Sequence, residues 1–211
     1  MDKIERLLLE NKAWAQSKVD GDPEFFKKMA VDQKPEYLWI GCSDSRVHPA
    51  EITNSDPGVM FVHRNIANLV VHTDMNFLSV LQYAVNVLKV RHIIVCGHYN
   101  CGGVKAALST QSLGMINNWV RNIKDAYFTH KAEVEQISDP VLKLNRMVEL
   151  NVIEQVKNLA HTSIVQKSWN DETIPFVHGW VYDLNNGRLK PLITIQPGSE
   201  IDSAYRYDFK S

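Results

Sequence analysis

The 211-residue chain lacks features that would mark it as a membrane, nucleic-acid-binding or secreted protein. No apolar run approaches the roughly 18 residues that a membrane-spanning helix needs, so we expect no membrane partner. Basic residues are not in excess, because 23 Lys and Arg stand against 24 Asp and Glu, and we expect no nucleic-acid partner. The first residues are partly acidic and carry no secretory signal pattern, which predicts a cytoplasmic protein.

Cysteine is also scarce, since the chain has only Cys42, Cys96 and Cys101. A low and odd count does not suit a disulfide scaffold, and thiols stay reduced in the cytosol. Each cysteine is therefore a buried apolar side chain, a metal ligand or a nucleophile. Cys96 lies inside an apolar run, and we interpret it as a core residue.

No repeat, low-complexity tract or flexible linker divides the chain. We predict a single domain over 1–211, made of a helical arm at 1–35, an α/β core at 36–195 and a tail at 196–211. Apolar residues at helical spacing mark the arm, whose first helix ends near Gly21. The arm packs either on its own core or on a partner subunit, and the sequence leaves both open.

The core contains apolar segments that predict strands, and helical patterns separate several of them. The predicted strands lie at 37–40, 59–62, 92–96, 175–182 and 189–195. The first and third do not alternate polar and apolar residues, which is typical of buried parallel strands. One helix is predicted over 73–88, and another opens with Ser138 as its cap. This order predicts an α/β fold with a mainly parallel central sheet flanked by helices.

Metal-ligating residues follow two of the predicted parallel strands. Cys42 comes after the first, while His98 and Cys101 follow the later one and are three residues apart. Because ligands bind at the carboxyl ends of parallel strands, we expect the three side chains to lie together. Two cysteines and one histidine form the ligand set of a catalytic zinc site with one open position. Three unrelated buried residues are the less favoured alternative.

Two motifs resemble those of the β-class carbonic anhydrases, namely CSDSRV at 42–47 and GHYNCGG at 97–103. FVHRNIAN at 61–68 and HGWVYD at 178–183 agree with them. The resemblance covers the chain as far as about residue 182 and is to bacterial members, including a bicarbonate-regulated subgroup. It implies a homodimeric or homotetrameric enzyme with one Zn²⁺ per chain. The implied reaction is reversible hydration of carbon dioxide to bicarbonate and a proton, by attack of zinc-bound hydroxide.

The resemblance also implies a role for individual residues. The implied zinc ligands are Cys42, His98 and Cys101, and the implied catalytic residues are Asp44, Arg46 and Gln33. Asp44, paired with Arg46, accepts a hydrogen bond from the zinc-bound water, and Gln33 hydrogen-bonds a substrate oxygen. The residues that match an apolar substrate pocket are Phe61, Ile66, Tyr83 and Gly102.

A regulatory bicarbonate site is implied by the match of Trp39, Arg64 and Tyr182 to the regulated subgroup. Their N–H and O–H groups can satisfy the oxygens of an anion. In the inactive state of that subgroup Asp44 itself ligates zinc, whereas in the active state it pairs with Arg46. The alternative is that Trp39 is strand core and Arg64 a structural ion-pair partner.

Two other functions stay open at this level. A hydrolase of carbon disulfide or carbonyl sulfide would use the same ligands, and a non-catalytic zinc-binding module would close the fourth position with protein. Asp44, Arg46 and Gln33 argue against the module, because a structural zinc site needs none of them. A nucleotide-binding protein is excluded, since no glycine-rich phosphate motif follows any strand.

Overall fold

The structure is a computed structural model that describes residues 2–209. The chain divides into two compact units, Met1–Lys34 and Pro35–Ser211. The first unit contains helix α1 at Lys3–Gly21 and helix α2 at Phe25–Val31. Trp14 of α1 packs edge-on against Phe26 of α2, with ring centroids 5.7 Å apart, so the two helices share an aromatic contact.

A five-stranded sheet forms the centre of the second unit. Its strands are β1 at Tyr37–Cys42, β2 at Met60–Asn65, β3 at His92–His98, β4 at Phe176–Asp183 and β5 at Arg188–Ile195. The order across the sheet is β2-β1-β3-β4-β5, and β5 alone of these five runs antiparallel to its neighbour. The predicted α/β fold with a mainly parallel sheet is confirmed.

Helices occupy the connections between the strands. They are α3 at Pro49–Ile52, α4 at Met75–Gln82, α5 at Gly102–Leu108, α6 at Ile116–Thr129, α7 at Lys131–Val134, α8 at Pro140–Ala160 and α9 at Ser163–Asp171. The two helices predicted for the core correspond to α4 and α8, whereas the other five named here were not predicted. Within residues 2–209, no helix is both long and apolar enough to cross a membrane.

The two predicted helices differ from expectation at their ends. Asp139, not Ser138, caps α8, because its carboxylate accepts the backbone N–H groups of Val141 and Leu142 at 2.8 Å. Pro140 takes the first helical position, where its missing N–H is not needed, and this places the cap one residue before it. The helix predicted over 73–88 is α4 followed by a π-helical turn at Tyr83–Val87.

The two faces of the sheet have different surroundings, because side chains alternate along each strand. Leu38, Ile40 and Cys42 belong to the main core together with α8, and we call this side the ligand face. Trp39, Ile94 and Cys96 form a smaller cluster on the other side, which we call the tryptophan face. Glycines let α8 lie close to the ligand face: a Cβ at position 97 would lie 2.6 Å from a methyl group of Val152.

Candidate metal centre

Three metal-ligating side chains meet at the carboxyl edge of the sheet. Cys42 ends β1 and His98 ends the neighbouring parallel strand β3, while Cys101 directly precedes α5. Their ligand atoms all lie within 4.8 Å of one another, and the three residues are buried. The structure therefore brings together the residues that the sequence placed at separate strand ends.

The geometry of these three ligand atoms fits a tetrahedral zinc ion. The sulfur atoms of Cys42 and Cys101 are 3.9 Å apart. Two sulfurs at about 2.3 Å from a tetrahedral zinc would be separated by about 3.8 Å. His98 donates from Nδ1 to the carbonyl of Tyr99 at 3.0 Å, which leaves the lone pair on Nε2. That Nε2 atom is buried and has no hydrogen-bond partner among the described residues, as expected of an atom that ligates a metal.

Cys42 and Cys101 are linked by a hydrogen bond between their sulfur atoms. The pKa of Cys42 is lowered chiefly because the Cys101 thiol donates to its sulfur; burial opposes this effect, and the backbone N–H of Ala67 adds to it. The pKa of Cys101 is raised, first by that same hydrogen bond and then by burial. This hydrogen bond favours a thiolate at Cys42 and a thiol at Cys101, and a bound cation would take the place of the proton between them.

A charged pair lies beside the three ligands. Arg46 donates from Nε and Nη2 to the two carboxylate oxygens of Asp44, at 2.9 and 2.7 Å. Oδ2 of Asp44 is 3.6 Å from Nε2 of His98, so the carboxylate borders the metal centre. Hydrogen bonds from Arg46 hold the pKa of Asp44 well below its usual range, although partial burial opposes them. Asp44 is therefore an ionised acceptor with a fixed orientation.

The residues expected in a substrate pocket lie in four separate elements of the second unit. Phe61 of β2 and Tyr83 have ring centroids 5.9 Å apart. Ile66 lies beside α5, because a Cβ at Gly103 would be 2.8 Å from its methyl group, and Gly102 is the first residue of that helix. Ile66 and Tyr83 are exposed, and their role in substrate binding stays a prediction.

Gln33 and the expected regulatory residues belong to other segments of the chain. Gln33 is an exposed residue of the first unit, and its role toward the substrate stays a prediction. Trp39 is completely buried on the tryptophan face, in the same cluster as Tyr182. Arg64 pairs in register with Gly41, and donates to the carbonyls of Cys42 at 2.9 Å and Asp44 at 2.5 Å. Its side chain therefore contacts the backbone of residues 42–44, the segment that begins with the metal-ligating Cys42.

Helix α8 contributes polar residues to the site that sequence reasoning missed. Asn151 donates to the carbonyl of Ala67 at 3.1 Å, and the amide oxygen of Gln155 accepts the N–H of Val70 at 2.7 Å. These bonds hold the turn after β2, where Ala67 adopts a left-handed φ of 65°. The available signal was the four-residue spacing of Asn151 and Gln155, which places both on one face of the helix.

Comparisons with known proteins give a consistent assignment over most of the chain. The family model described as carbonic anhydrase matches residues 37–189. A carbonic anhydrase from Emericella nidulans is 52% identical over 194 residues, which span 92% of this chain and 85% of that protein.

Solved structures agree with the sequence matches. A tetrameric β-carbonic anhydrase from the ascomycete Sordaria macrospora superposes with a TM-score of 0.87 at 39% identity, covering 92% of this chain and 100% of that one. A Coccomyxa β-carbonic anhydrase in complex with acetazolamide gives a TM-score of 0.88 at 41% identity, covering 92% and 89%. Because the Emericella and Sordaria proteins are fungal, membership in a bacterial, bicarbonate-regulated subgroup stays a prediction. The matched segment contains both strand ends that carry the metal-ligating residues, and the chain belongs to the β-class carbonic anhydrases.

Proposed function

We propose that this carbonic anhydrase hydrates carbon dioxide reversibly to bicarbonate and a proton in a zinc-dependent reaction. The observation that carries the proposal is the buried cluster of Cys42, His98 and Cys101 beside the Asp44–Arg46 pair. Two sulfurs and one imidazole nitrogen are ligands that zinc prefers, and three protein ligands leave one position for chemistry. The family match supports the same activity.

Cys42, His98 and Cys101 would hold one zinc ion per chain. When bound, zinc acts as a Lewis acid that lowers the pKa of a water molecule to about 7 and so makes hydroxide available near neutral pH. The protein prepares the ligands for this role in advance. His98 presents Nε2 because Nδ1 is bonded to the Tyr99 carbonyl, and the hydrogen bond from Cys101 favours a thiolate at Cys42.

Asp44 orients the attacking oxygen. As a carboxylate it can only accept hydrogen bonds, so a water or hydroxide beside it donates its O–H to Asp44 and turns a lone pair toward carbon dioxide. Arg46 binds both carboxylate oxygens and its backbone N–H adds a third contact at 3.0 Å, which prevents rotation of the acceptor. The role of Arg46 is therefore to position Asp44 and keep it ionised.

Apolar residues suit a small uncharged substrate. We assign Phe61, Ile66, Tyr83 and Gly102 to the substrate pocket and Gln33 to a hydrogen bond with a substrate oxygen. Ile66 and Tyr83 are 41% and 44% exposed in the single chain, so a second copy of the chain would complete the pocket wall. The tetrameric state of the Sordaria relative supports a homo-oligomer.

We also infer that Trp39, Arg64 and Tyr182 bind bicarbonate as a regulator. Two observations support this inference. Nε1 of Trp39 is buried without a hydrogen-bond partner within residues 2–209, and Arg64 donates to the carbonyl of Asp44. An anion that recruits the Arg64 guanidinium would weaken this bond and release Asp44 to ligate zinc. Since hydroxide and Asp44 compete for one position, bicarbonate would then shift activity to higher pH.

Stopped-flow measurement of carbon dioxide hydration, with zinc content determined on the same purified sample, tests the proposed activity. We expect about one zinc per chain, loss of activity on zinc removal, and recovery when zinc is restored. Hydrolysis of carbonyl sulfide or carbon disulfide without carbon dioxide hydration would instead support the alternative hydrolase. Full zinc occupancy with neither activity would identify a non-catalytic zinc module.

A further inference from the structure

Helix α8 carries a buried glutamate that the proposed mechanism does not use. Glu149 is 8% exposed, and its carboxylate accepts three hydrogen bonds. Oε1 accepts from the Tyr99 hydroxyl at 2.6 Å and from Lys190 at 2.7 Å, while Oε2 accepts from Arg146 at 2.8 Å. A buried carboxylate with three donors has one preferred orientation, so it holds each donor in place.

Tyr99 connects this carboxylate to the metal centre, because it directly follows His98 in the chain. Its carbonyl accepts the Nδ1–H of His98 at 3.0 Å, and its own N–H donates to the carbonyl of Tyr182 at 3.0 Å. Its hydroxyl donates a hydrogen bond to Glu149. Tyr99 is thus held at two main-chain points and one side-chain point, and Glu149 provides the side-chain point.

The orientation of the Tyr99 carbonyl determines the direction from which His98 would coordinate a metal. The hydrogen bond from Nδ1 sets the tautomer and the ring plane, and thereby aims the Nε2 lone pair at the two cysteine sulfurs. A metal ligand that is free to rotate binds more weakly than one whose position is set beforehand. The contact of the Tyr99 hydroxyl with Glu149 therefore influences the geometry of His98 through the Tyr99 carbonyl.

We propose that Glu149 is a positioning residue for the metal ligand His98, acting through the hydroxyl of Tyr99. This inference rests on the proposed zinc centre. Glu149 and Tyr99 act through the ring of His98 and do not supply a ligand atom, so their first effect is on zinc affinity and ligand geometry. Loss of activity follows from that effect.

The chain offers a matched control for this contact. Tyr127 of α6 donates its hydroxyl to the carboxylate of Glu135, which is the same chemical pair. Neither residue belongs to the segments that carry the three ligands. A nonspecific effect of removing a tyrosine hydroxyl from a glutamate would therefore appear in both Tyr99→Phe and Tyr127→Phe.

Chelator competition on the full-length protein tests the proposal. Tyr99→Phe removes only the hydroxyl and leaves Glu149 paired with Lys190 and Arg146, so the fold should persist. We expect its zinc dissociation constant to rise about tenfold, the lower end of what loss of an outer-shell contact causes. Tyr127→Phe should leave the constant unchanged, and melting of the two metal-free variants should show whether either change merely weakens the fold.

Two further readouts separate positioning from structure. In the zinc-loaded protein, the ¹⁵N NMR signal of His98 Nδ1–H should shift in Tyr99→Phe and stay in place in Tyr127→Phe. Glu149→Ala should weaken zinc binding in the native background but add nothing to the loss of zinc affinity in Tyr99→Phe, since of its three contacts only the one with Tyr99 leads to His98. If the unchanged protein binds zinc and Tyr99→Phe binds it equally well, the positioning role is wrong while the zinc centre stands. If the unchanged protein binds no zinc, the proposed function itself fails.

Discussion

Cys42 and Cys96 lie on adjacent parallel strands and yet have opposite chemical surroundings. Cys96 pairs in register with Gly41, so the two cysteines are offset by one residue and their side chains point to opposite faces of the sheet. On the ligand face, Cys42 has a lowered pKa, chiefly because the Cys101 thiol donates to its sulfur. On the tryptophan face, burial raises the pKa of Cys96, which lies with Trp39 and Ile94.

The comparison shows that position along a strand decides whether a cysteine can bind metal. The Cys96 thiol donates to the carbonyl of Gly97 at 3.3 Å and stays protonated in an apolar cluster. Cys42 is at the strand end, where a second cysteine and a histidine arrive from another segment. The tryptophan face is nevertheless connected to the site. Arg64 pairs in register with Gly41, which is on the same side of the sheet as Trp39, and it donates to the carbonyls of Cys42 and Asp44.

The largest expected effect comes from exchanging one cysteine at a time. Cys42→Ser should lose most of its zinc, with affinity falling by more than the roughly 100-fold that loss of an outer-shell partner causes. Cys96→Ser is the matched control and should keep its zinc, because its hydroxyl can still donate to the Gly97 carbonyl. Metal analysis after dialysis compares the two variants. Zinc retained in Cys42→Ser and lost in Cys96→Ser would reverse the assignment.

The next largest effect concerns catalysis without loss of metal. Asp44→Asn keeps the size of the side chain but places an amide N–H₂ where an acceptor is needed, and it weakens the pairing with Arg46. We expect kcat/KM for carbon dioxide hydration to fall about 100-fold or more, the range for loss of a positioned acid–base group. Stopped-flow rates must be compared at equal zinc content. Undiminished kcat/KM in a fully loaded variant would exclude Asp44 from the reaction.

A smaller effect is expected from the tryptophan face. The proposed bicarbonate site predicts little activity below about neutral pH, a steep rise over roughly one to two pH units above it, and inhibition by bicarbonate beyond product competition. Arg64→Ala should weaken that inhibition several-fold, on the order of a coupling free energy of about 1 kcal/mol, with zinc content unchanged. Initial rates measured against bicarbonate and pH provide the test. Ordinary product inhibition that is the same in both proteins would rule out the regulatory site.

The hydrogen-bonded pair of ligand cysteines gives a prediction about pH. Because the hydrogen bond between them favours a thiolate at Cys42 and a thiol at Cys101, we expect zinc binding near pH 7 to release about one proton. Zinc affinity should therefore rise about tenfold per pH unit as pH increases and fall as pH decreases. Calorimetry in buffers of different ionisation enthalpy counts the protons. Release of two protons would show that both sulfurs are protonated in the metal-free protein.

The smallest expected effect is on stability alone. Cys96→Ala removes one buried sulfur from the cluster with Trp39 and Ile94, so the free energy of unfolding should fall by about 1 kcal/mol. Zinc affinity should not change, because the side chain faces away from the ligands. Urea unfolding and chelator competition on the same variant measure the two quantities. A fall in zinc affinity larger than the change in stability would show that the two faces are coupled at this position.

The main features of the fold and the ligand set could be predicted from the sequence. The apolar runs predicted at 37–40 and 92–96 became β1 and β3, which end at Cys42 and His98, and parallel strands bring such ends to one edge. The cap of α8 was wrongly predicted, because Ser138 and Asp139 are both good caps and the position of Pro140 decides between them.

Other parts of the site could not be predicted because their signal depends on contacts distant in sequence. Glu149 and Asn151 lie within a helix whose neighbouring residues are apolar, and only their partners Tyr99 and Ala67 show why buried polar groups are needed there. The exposure of Ile66 and Tyr83 also emerges only from the folded chain.

X-ray absorption at the zinc edge of the purified, zinc-loaded protein tests the central claim most directly. The account predicts two sulfur atoms at about 2.3 Å and nitrogen or oxygen atoms at about 2.0–2.1 Å, which correspond to Cys42, Cys101, His98 and one non-protein ligand. Removing the Cys96 sulfur by Cys96→Ala should leave this spectrum unchanged. A shell of three sulfurs, or of none, would contradict the metal centre described by Cys42, His98 and Cys101.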